Sequence, residues 1–197
     1  DNVSFTARSG EILGIAGISG SGQRELLEAI AGLQNISPGA SIYYRSMDLE
    51  HHEESLQLVG KTPLQINQAG VSLAFVPEDR LGMGLVGNMG MTGNMMLRSY
   101  RKGHAGFVDR KQPRKLAEEI IQELEVNTPG VNTPVRRLSG GNVQKVLLGR
   151  EIAFAPKVLM AAYPVRGLDI NSSYTIYNLL NKQKENGVAV IFVGEDL

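Results

Sequence analysis

The chain of 197 residues is 42% hydrophobic and 20% charged, which fits one compact domain with or without a small subdomain. Its 20 basic and 20 acidic side chains cancel, so we expect no nucleic-acid partner and no attraction to an anionic membrane surface. It contains no cysteine and no run of about 18 apolar residues, which excludes a disulfide framework, a thiolate metal site and a membrane-spanning helix.

Short apolar strands alternate with helical segments along most of the chain. The predicted strands are residues 3–7, 11–17, 41–45, 71–76, 157–162 and 188–193. The predicted helices are residues 23–31, 62–68, 115–124, 142–152 and 171–185. This alternation is typical of a parallel α/β core, which would comprise residues 1–84 and 138–197. Residues 85–137 interrupt the alternation with helices only, which indicates an inserted helical subdomain.

A glycine-rich turn joins the second predicted strand to the first predicted helix. Such glycines let backbone N–H groups point at an anion in front of a helix N-terminus. In the usual pattern, G-x-x-x-x-G-K-[ST], the lysine reaches the outer phosphates and the hydroxyl binds Mg²⁺. Here those positions are Gln23 and Arg24, which supply neither group, although Arg24 could turn back to replace the lost charge or remain a solvated helix residue. The candidate nucleotide-binding residues are Gly17, Gly20, Ser21, Gly22, Gln23, Arg24 and Glu25.

A second anion site is predicted at residues 138–145, Leu-Ser-Gly-Gly-Asn-Val-Gln-Lys. Ser139 offers a hydroxyl, and Gly140 and Gly141 leave N–H groups open at the start of a helix, with its dipole behind them. Gln144 follows on the same helix and is expected to support the site. A bare helix cap would explain the serine and glycines but not their coincidence with the other motifs.

In order and spacing, these segments resemble the nucleotide-binding domain of an ATP-binding-cassette (ABC) transporter. The substitutions resemble the second, degenerate half of the tandem ATPases that serve simple-sugar and nucleoside uptake. The resemblance covers residues 3–197 and implies a P-loop (RecA-like) α/β core with an antiparallel β edge and an inserted helical subdomain. It also implies that the chain is a segment of a longer tandem polypeptide.

The resemblance implies an Asp-Glu pair at the end of the strand at 157–162, to hold Mg²⁺ and polarise the attacking water. Ala162 and Tyr163 stand there, so we expect no catalytic residue and no metal site in this chain. Glu78 stands at a glutamine that senses magnesium, and Glu195 at a histidine that contacts the γ-phosphate. Both carboxylates would repel phosphates unless they are paired. Asp169 matches the D-loop aspartate, which lies across the dimer seam in this family.

The mechanism that the resemblance implies is complementation between two halves. Residues 139–141 would close over the γ-phosphate of ATP held by the partner half, where Mg²⁺ is also expected, while binding without turnover at this chain's own loop stays open. The implied partners are the N-terminal ATPase half of the same polypeptide, the transmembrane permease subunits and, indirectly, a solute-binding protein. The resemblance places the ATPase at the cytoplasmic face of the membrane. The sequence does not decide whether the transported solute is a sugar or a nucleoside.

Two alternatives remain beside this interpretation. A self-sufficient homodimeric ATPase would need replacements for all four missing catalytic groups. A non-transport ABC protein would be expected to keep its catalytic residues and to show basic surfaces or long coiled-coil insertions.

Two further clusters have competing explanations. Five of the seven methionines fall within 14 residues: Met83, Met89, Met91, Met95 and Met96. They suit either core packing or a docking groove for the membrane subunit. The run at residues 51–54, His-His-Glu-Glu, is interpreted as a solvated loop and not as a metal cluster.

Overall fold

The computed structural model describes residues 3–18, 20–47, 53–99 and 109–195, and for Met47, Glu53 and Glu54 it describes the backbone alone. The strands are β1 (Ile12–Ala16), β2 (Tyr43–Met47), β3 (Glu53–Gln57), β4 (Leu73–Val76), β5 (Val158–Ala162) and β6 (Ala189–Gly194). The helices are α1 (Gln23–Ile30), α2 (Pro63–Gln68), α3 (Met91–Met96), α4 (Lys111–Glu123), α5 (Gly140–Ile152) and α6 (Ile170–Glu185). A π-helical turn (Arg80–Gly84) follows β4, and a 3-10 turn (Val135–Arg137) precedes α5.

Four parallel strands form the central sheet in the order β1-β6-β5-β4. In register, Ile12 of β1 lies opposite Val190 of β6, and Val158 of β5 lies between Ala189 of β6 and Leu73 of β4. The predicted parallel α/β core is confirmed. Because the strands are parallel, their carboxyl ends meet at one edge, which is where open α/β sheets bind ligands.

Helices cover both faces of this sheet. Along β5, Leu159 and Ala161 point into the larger core, while Met160 and Ala162 point into a smaller core that contains Leu27 of α1. This alternation is the period of two expected of a strand buried on both faces. The larger core also receives apolar residues of α3, α4, α5 and α6. The sheet therefore has α1 on one side and α3, α4, α5 and α6 on the other.

One prediction about the N-terminal end of the chain is wrong. Residues 3–7 form no strand, and Val3 and Phe5 are exposed. Alternating side chains do not make a strand without a hydrogen-bonded neighbour, and the candidate neighbours β2 and β3 pair only with each other.

The antiparallel pair β2–β3 forms a separate two-stranded sheet. The strand predicted at 41–45 is found two residues later. The polar run at 51–54 is not all loop, because β3 begins at Glu53; His51 and His52 lie outside the described residues.

The segment 85–137 contributes α3 and α4, which pack against each other and onto α5. Met91 and Met95 of α3 and Ala117 and Ile120 of α4 are buried in the same core as Leu147 of α5. Sequence periodicity predicted α4 four residues too late, and it missed α3, a six-residue helix with two central polar residues.

The methionines of this cluster divide by exposure: some pack in the core, and others remain accessible for the docking that the sequence also suggested. Met91 and Met95 are fully buried, whereas Met83 is 51% and Met89 40% exposed. The exposed pair flanks a surface cleft of about 510 Å³ lined by Leu81, Gly82, Leu85, Val86, Gly87, Asn88 and Arg136.

A buried ion cluster anchors the far end of α5. The Glu151 carboxylate is 3.0 Å from Arg98 and 2.9 Å from Arg150, and both Glu151 and Arg150 are buried. Arg150 also donates to the carbonyl oxygen of Gly84 (2.7 Å). The cluster ties α5 to the end of α3 and to the π-helical turn, and so fixes the helix that carries residues 139–141.

Candidate nucleotide and signature sites

Four of the predicted motifs follow four strands at the carboxyl edge of the central sheet. The glycine loop follows β1, Glu78 follows β4, Tyr163 follows β5 and Glu195 follows β6. The N–H of Gly17 donates to the carbonyl oxygen of Gly194 (3.4 Å), so the loops after β1 and β6 are neighbours. The sheet thus gathers residues that lie far apart in the sequence.

The glycine loop keeps the backbone form of a phosphate-binding turn. Gly20 and Gly22 have φ of +88° and +95°, the left-handed region that favours glycine. Among the described residues, no atom beyond the chain neighbours lies within 4 Å of a Cβ built on either residue, so the loop is open on that side. Ser21 is exposed, and its N–H donates to the carbonyl oxygen of Ile18 (3.2 Å). The backbone nest predicted from the glycine spacing is therefore compatible with the fold.

Gln23, at the lysine position, folds back into this loop. Its side chain is 7% exposed, and Nε2 donates to the carbonyl oxygen of Ile18 (3.3 Å). The amide lies so close above Gly17 that a Cβ on Gly17 would overlap Nε2. The other amide atom, Oε1, is buried and has no hydrogen-bond partner among the described residues. Phosphate oxygens are acceptors too, so this orphan oxygen offers them nothing.

Arg24 does not supply the missing lysine charge. Its Nε lies 3.1 Å from Glu28 Oε1, one turn further along α1 and away from the loop. Glu28 is buried and accepts a second hydrogen bond from Gln34 (2.8 Å), so this pair is built into the helix. Glu25 is exposed in the first turn of α1, where a carboxylate complements the helix dipole and opposes a bound phosphate.

The end of β5 carries no cation ligand. Ala162 is fully buried and Tyr163 is 5% exposed. Tyr163 has φ of +47°, a left-handed conformation that is uncommon for a bulky side chain. Its hydroxyl is buried without a partner among the described residues. Burial, followed by the nearby charges of Glu78 and Glu195, raises the pKa of the Tyr163 phenol, so it stays neutral at physiological pH.

Arg166 pairs with both switch carboxylates. Its Nη1 lies 2.5 Å from Glu78 Oε1, and its Nη2 lies 3.6 Å from Glu195 Oε1. The same guanidinium lies over the Tyr163 ring, 5.8 Å from the centroid. One cation thereby joins the loops after β4, β5 and β6, and its single positive charge offsets only part of the repulsion between the two carboxylates and a phosphate.

The donor set at this edge does not suit Mg²⁺. That ion requires oxygen ligands in near-octahedral geometry. The two carboxylates present, Glu78 and Glu195, are paired with Arg166, while Ala162 and Arg24 offer no oxygen ligand. Within the described ranges, no group of three His, Asp or Glu residues is arranged to hold a metal ion.

The second predicted anion site is intact at the start of α5. Ser139 is the N-cap: its Oγ accepts from the N–H of Asn142 (3.4 Å) and from its Nδ2 (2.8 Å). Ser139 and Gly140 are exposed, and Gly141 is buried. A Cβ on Gly140 would make only ordinary contacts, the nearest being Leu168 Cδ2 at 3.6 Å. The helix N-terminus is thus accessible to an anion from outside the chain.

Asp169 closes the other side of this site. It is the N-cap of α6 and accepts from the backbone N–H (2.9 Å) and the hydroxyl (2.6 Å) of Ser172. Those hydrogen bonds hold the pKa of the Asp169 carboxyl below its usual value. Ser172 packs so tightly on Gly141 that a Cβ there would overlap its Oγ. The structure therefore brings the predicted D-loop and residues 139–141 together.

Arg80 connects the two sites. Its Nε donates to Gln144 Oε1 (2.6 Å), and its Nη2 donates to the carbonyl oxygen of Arg166 (2.5 Å). Gln144 is fully buried, and its Nε2 has no partner in the part of the chain that is described. Burial lowers the pKa of Arg80, and the negative charge of Glu78 opposes that effect. The support expected of Gln144 would therefore act through its hydrogen bond with Arg80, which also lines the cleft beside Gly140.

Sequence reasoning missed the roles of Arg80 and Arg166. Both lie inside motifs that the sequence analysis used, but their partners are 64 and 88 residues away along the chain. The sequence did offer one indication. Glu78 and Glu195 had no predicted partner, and carboxylates near a phosphate site need a cation to pair with.

Comparison with known proteins gives one family. A family model described as "ABC transporter" matches residues 1–164. The xylose import ATP-binding protein XylG of Thermoanaerobacter pseudethanolicus is 37% identical over 198 residues, covering 100% of this chain. The guanosine import ATP-binding protein NupO of Bacillus subtilis is 35% identical over 100% of the chain, and the ribose import ATP-binding protein RbsA of Rhodopirellula baltica is 40% identical over 95%. The chain spans only 35–37% of the length of these three relatives.

Solved structures show the same fold. The dimeric bacterial ABC transporter cassette MJ0796 superimposes with a TM-score of 0.77 at 24% identity, over 99% of this chain and 79% of that one. The ADP conformation of the cassette MJ1267 gives 0.71 at 20% identity, over 100% and 75%. The fold implied by the resemblance is therefore confirmed. Among the described residues, no helix combines the length and apolar character needed to cross a bilayer.

Proposed function

The chain belongs to the ABC transporter family, and from this premise we propose that it is the non-catalytic ATPase half of a sugar or nucleoside importer. In this proposal the Ser139-Gly140-Gly141 element completes an ATP site whose phosphate loop and Mg²⁺ belong to a partner half. Closing and opening of the two halves then drive the permease.

The relatives support the import role. Their printed names assign xylose, guanosine and ribose import, and their similarity extends over 95–100% of this chain. Since each is more than twice as long as the aligned segment, there is room for a second cassette beside the one represented here. We infer a tandem polypeptide in which this chain is the C-terminal half, residues 85–137 are the helical subdomain, and the whole lies at the cytoplasmic face of the membrane.

One observation carries the proposal: the helix N-terminus before α5 is capped and exposed, whereas the site after β1 lacks the lysine, the hydroxyl and the acidic pair used in catalysis. Ser139 and Gly140 are exposed at the N-terminus of a buried helix. They lie beside Asp169, which caps α6. Ala162 and Tyr163 supply neither a metal ligand nor a general base, and Gln23 supplies no charge. A half with this asymmetry can assist hydrolysis at a partner's site but has no means of its own.

The cleft beside the π-helical turn is the surface that we assign to the permease. It is lined by Leu81, Leu85 and Val86 and flanked by the exposed Met83 and Met89. Apolar side chains with adaptable methionines suit the docking of an amphipathic helix. The solute-binding protein would act through the permease without touching this chain.

The test is ATP hydrolysis by the complete tandem protein with its permease. Gly140→Asp places a carboxylate where the γ-phosphate would approach, at a position with space for a side chain. We expect the rate to fall by on the order of 100-fold, as when an oxyanion-stabilising group is lost. Gly130→Asp is the matched control, because among the described residues nothing beyond its chain neighbours lies within 4 Å of its Cβ and it belongs to neither the 139–141 element nor the loop before α6; it should retain the parent rate.

Unchanged hydrolysis in Gly140→Asp would contradict the proposal. So would steady hydrolysis by this chain without its partner half, which the homodimeric alternative requires. That alternative finds no support in the site, where the cations beside the loop, Arg24 and Arg166, are both paired with carboxylates.

A further inference from the structure

We propose that this chain's own phosphate loop is filled by the protein's own groups and takes no nucleotide, so that a working pair of halves holds one ATP. The inference rests on the proposed function and deepens it. It follows from three features of the loop and its surroundings: the position of Gln23, the pairing of the nearby cations and the balance of charge.

Gln23 takes the space inside the loop. Its carboxamide is buried, donates to the carbonyl oxygen of Ile18 and lies directly over Gly17. The orientation of the amide is set by its partner, because only Nε2 can face a carbonyl oxygen. The orphan Oε1 is therefore the atom left for any ligand. It accepts hydrogen bonds and repels phosphate oxygens, whereas the lysine usual at this position donates them.

The cations near the loop are already neutralised. Arg24 pairs with Glu28, and Arg166 pairs with Glu78 and Glu195. A phosphate that recruited either guanidinium would have to separate it from its carboxylate and would leave that carboxylate without a partner. For Glu28, which is 4% exposed, this would strand a buried charge.

The charge balance opposes a polyphosphate. Arg24 and Glu28 neutralise each other away from the loop, so the carboxylates of Glu25, Glu78 and Glu195 stand near the loop and switch segments against the guanidinium of Arg166. Even when Arg80 is included, the carboxylates outnumber the cations. Since the donor set does not suit Mg²⁺, the metal that normally offsets the phosphate charge has no ligands here. Like charges in such a site raise the free energy of the bound state.

The same contacts give the filled loop a structural role. Arg166 holds the loops after β4, β5 and β6 together, as a metal and nucleotide would. The carbonyl oxygen of Arg166 in turn receives Arg80, which holds Gln144 on α5. The anion site before α5 is thus supported without any ligand at this chain's own loop.

The experiment is a count of nucleotides bound per complete tandem protein. A non-hydrolysable ATP analogue with Mg²⁺ is titrated by equilibrium dialysis, and an azido-ATP photolabel is mapped by mass spectrometry. We expect one nucleotide per tandem protein, with the label absent from the peptide that contains Gly17 to Arg24. Two nucleotides, or a label on that peptide, would overturn the inference and leave the proposed function standing. No bound nucleotide would overturn both.

A double variant tests the cause of the exclusion. Gln23→Lys with Glu78→Gln restores the donor in the loop and frees Arg166 from its shorter ion pair, so the count should rise to two. Gln122→Lys with Glu119→Gln makes the same charge changes on exposed α4 and should leave the count at one. A count of one in the Gln23–Glu78 variant would show that these groups are not what excludes the nucleotide, and the assignment would fail.

Discussion

The chain contains two predicted anion sites, each a glycine-rich turn before a helix, and they differ in what surrounds them. The loop before α1 leads into an eight-residue helix whose N-cap, Gly22, has no side-chain hydrogen bond and whose first turn carries Glu25. The site before α5 leads into a 13-residue helix with a Ser139 cap and no acidic residue in its first turn. Glycines and a helix dipole are common to both. The neighbouring charges and the anchoring of the helix decide which site stays open to an anion.

Anchoring is the larger difference, and it predicts the largest effect on stability. Glu151→Gln would leave the buried Arg150 guanidinium without its carboxylate at the far end of α5. Burial already lowers the pKa of Arg150, and Glu151 is the group that opposes this effect. Breaking a buried pair costs about 3–5 kcal/mol, and we expect a loss near the lower end because glutamine keeps an acceptor. Urea unfolding measures the loss.

The control for this prediction is Glu119→Gln, which removes the exposed pair with Lys115 on α4. It should change the free energy of unfolding by about 0.5 kcal/mol or less. Equal losses in the two variants would mean that α5 is no better anchored than a surface helix, and the contrast between the two sites would lose its physical basis.

Space around the glycines gives a second, smaller contrast between the sites. A Cβ on Gly141 would overlap Ser172 Oγ and lie 2.8 Å from Ser172 Cβ, so α6 itself must shift. A Cβ on Gly17 would overlap only the amide end of Gln23, which could move at the cost of its hydrogen bond to Ile18. We expect Gly141→Ala to lower the free energy of unfolding by about 1–3 kcal/mol, as overpacking does, and Gly17→Ala by less than about 1 kcal/mol.

Unfolding of both alanine variants in the same denaturant checks this contrast. If Gly17→Ala proves as costly as Gly141→Ala, Gln23 is held as firmly as Ser172 and the loop is more rigid than its contacts indicate.

The parts of the fold that the sequence predicted are those set by local rules. Buried parallel strands next to glycines, and long helices with a repeating apolar face, were found within a few residues of their true limits, as at β5 and α6. Of the separate β2–β3 sheet, β2 was predicted within two residues and β3 was missed, because β3 begins in a polar run. Residues 3–7 alternated like a strand without a neighbour to pair with. Strand pairing depends on tertiary structure, and the alternation of apolar and polar residues does not report it.

The predictions about the candidate site divide in the same way, into features set by local sequence and features set by tertiary contacts. The glycine spacings and the helix that starts at residues 140–141 are local features, and the sequence located both; Asp169 was identified from the resemblance, and its role as the N-cap of α6 came from the structure. The pairing of Arg166 with Glu78 joins residues 88 positions apart, and no local pattern reports it. Nor could the sequence show that the Gln23 side chain would enter the loop, because no local pattern distinguishes a buried glutamine from an exposed one.

Tyr163 gives the smallest predicted effect and a test of the closed site's electrostatics. Its hydroxyl is buried without a partner, so Tyr163→Phe should leave the free energy of unfolding unchanged or raise it by about 1 kcal/mol at neutral pH. Burial and the two switch carboxylates raise the phenol's pKa above its ordinary value of about 10, so the folded protein holds this proton more tightly than the unfolded chain does. The resulting stability is fully present below pH of about 10 and is lost as the pH rises through the folded pKa. In urea unfolding between neutral and alkaline pH, the parent should therefore lose stability above pH of about 10 more steeply than the phenylalanine variant. A parent that loses stability less steeply would mean that a cation, Arg166, dominates the phenolate's surroundings and that the carboxylates do not neutralise it.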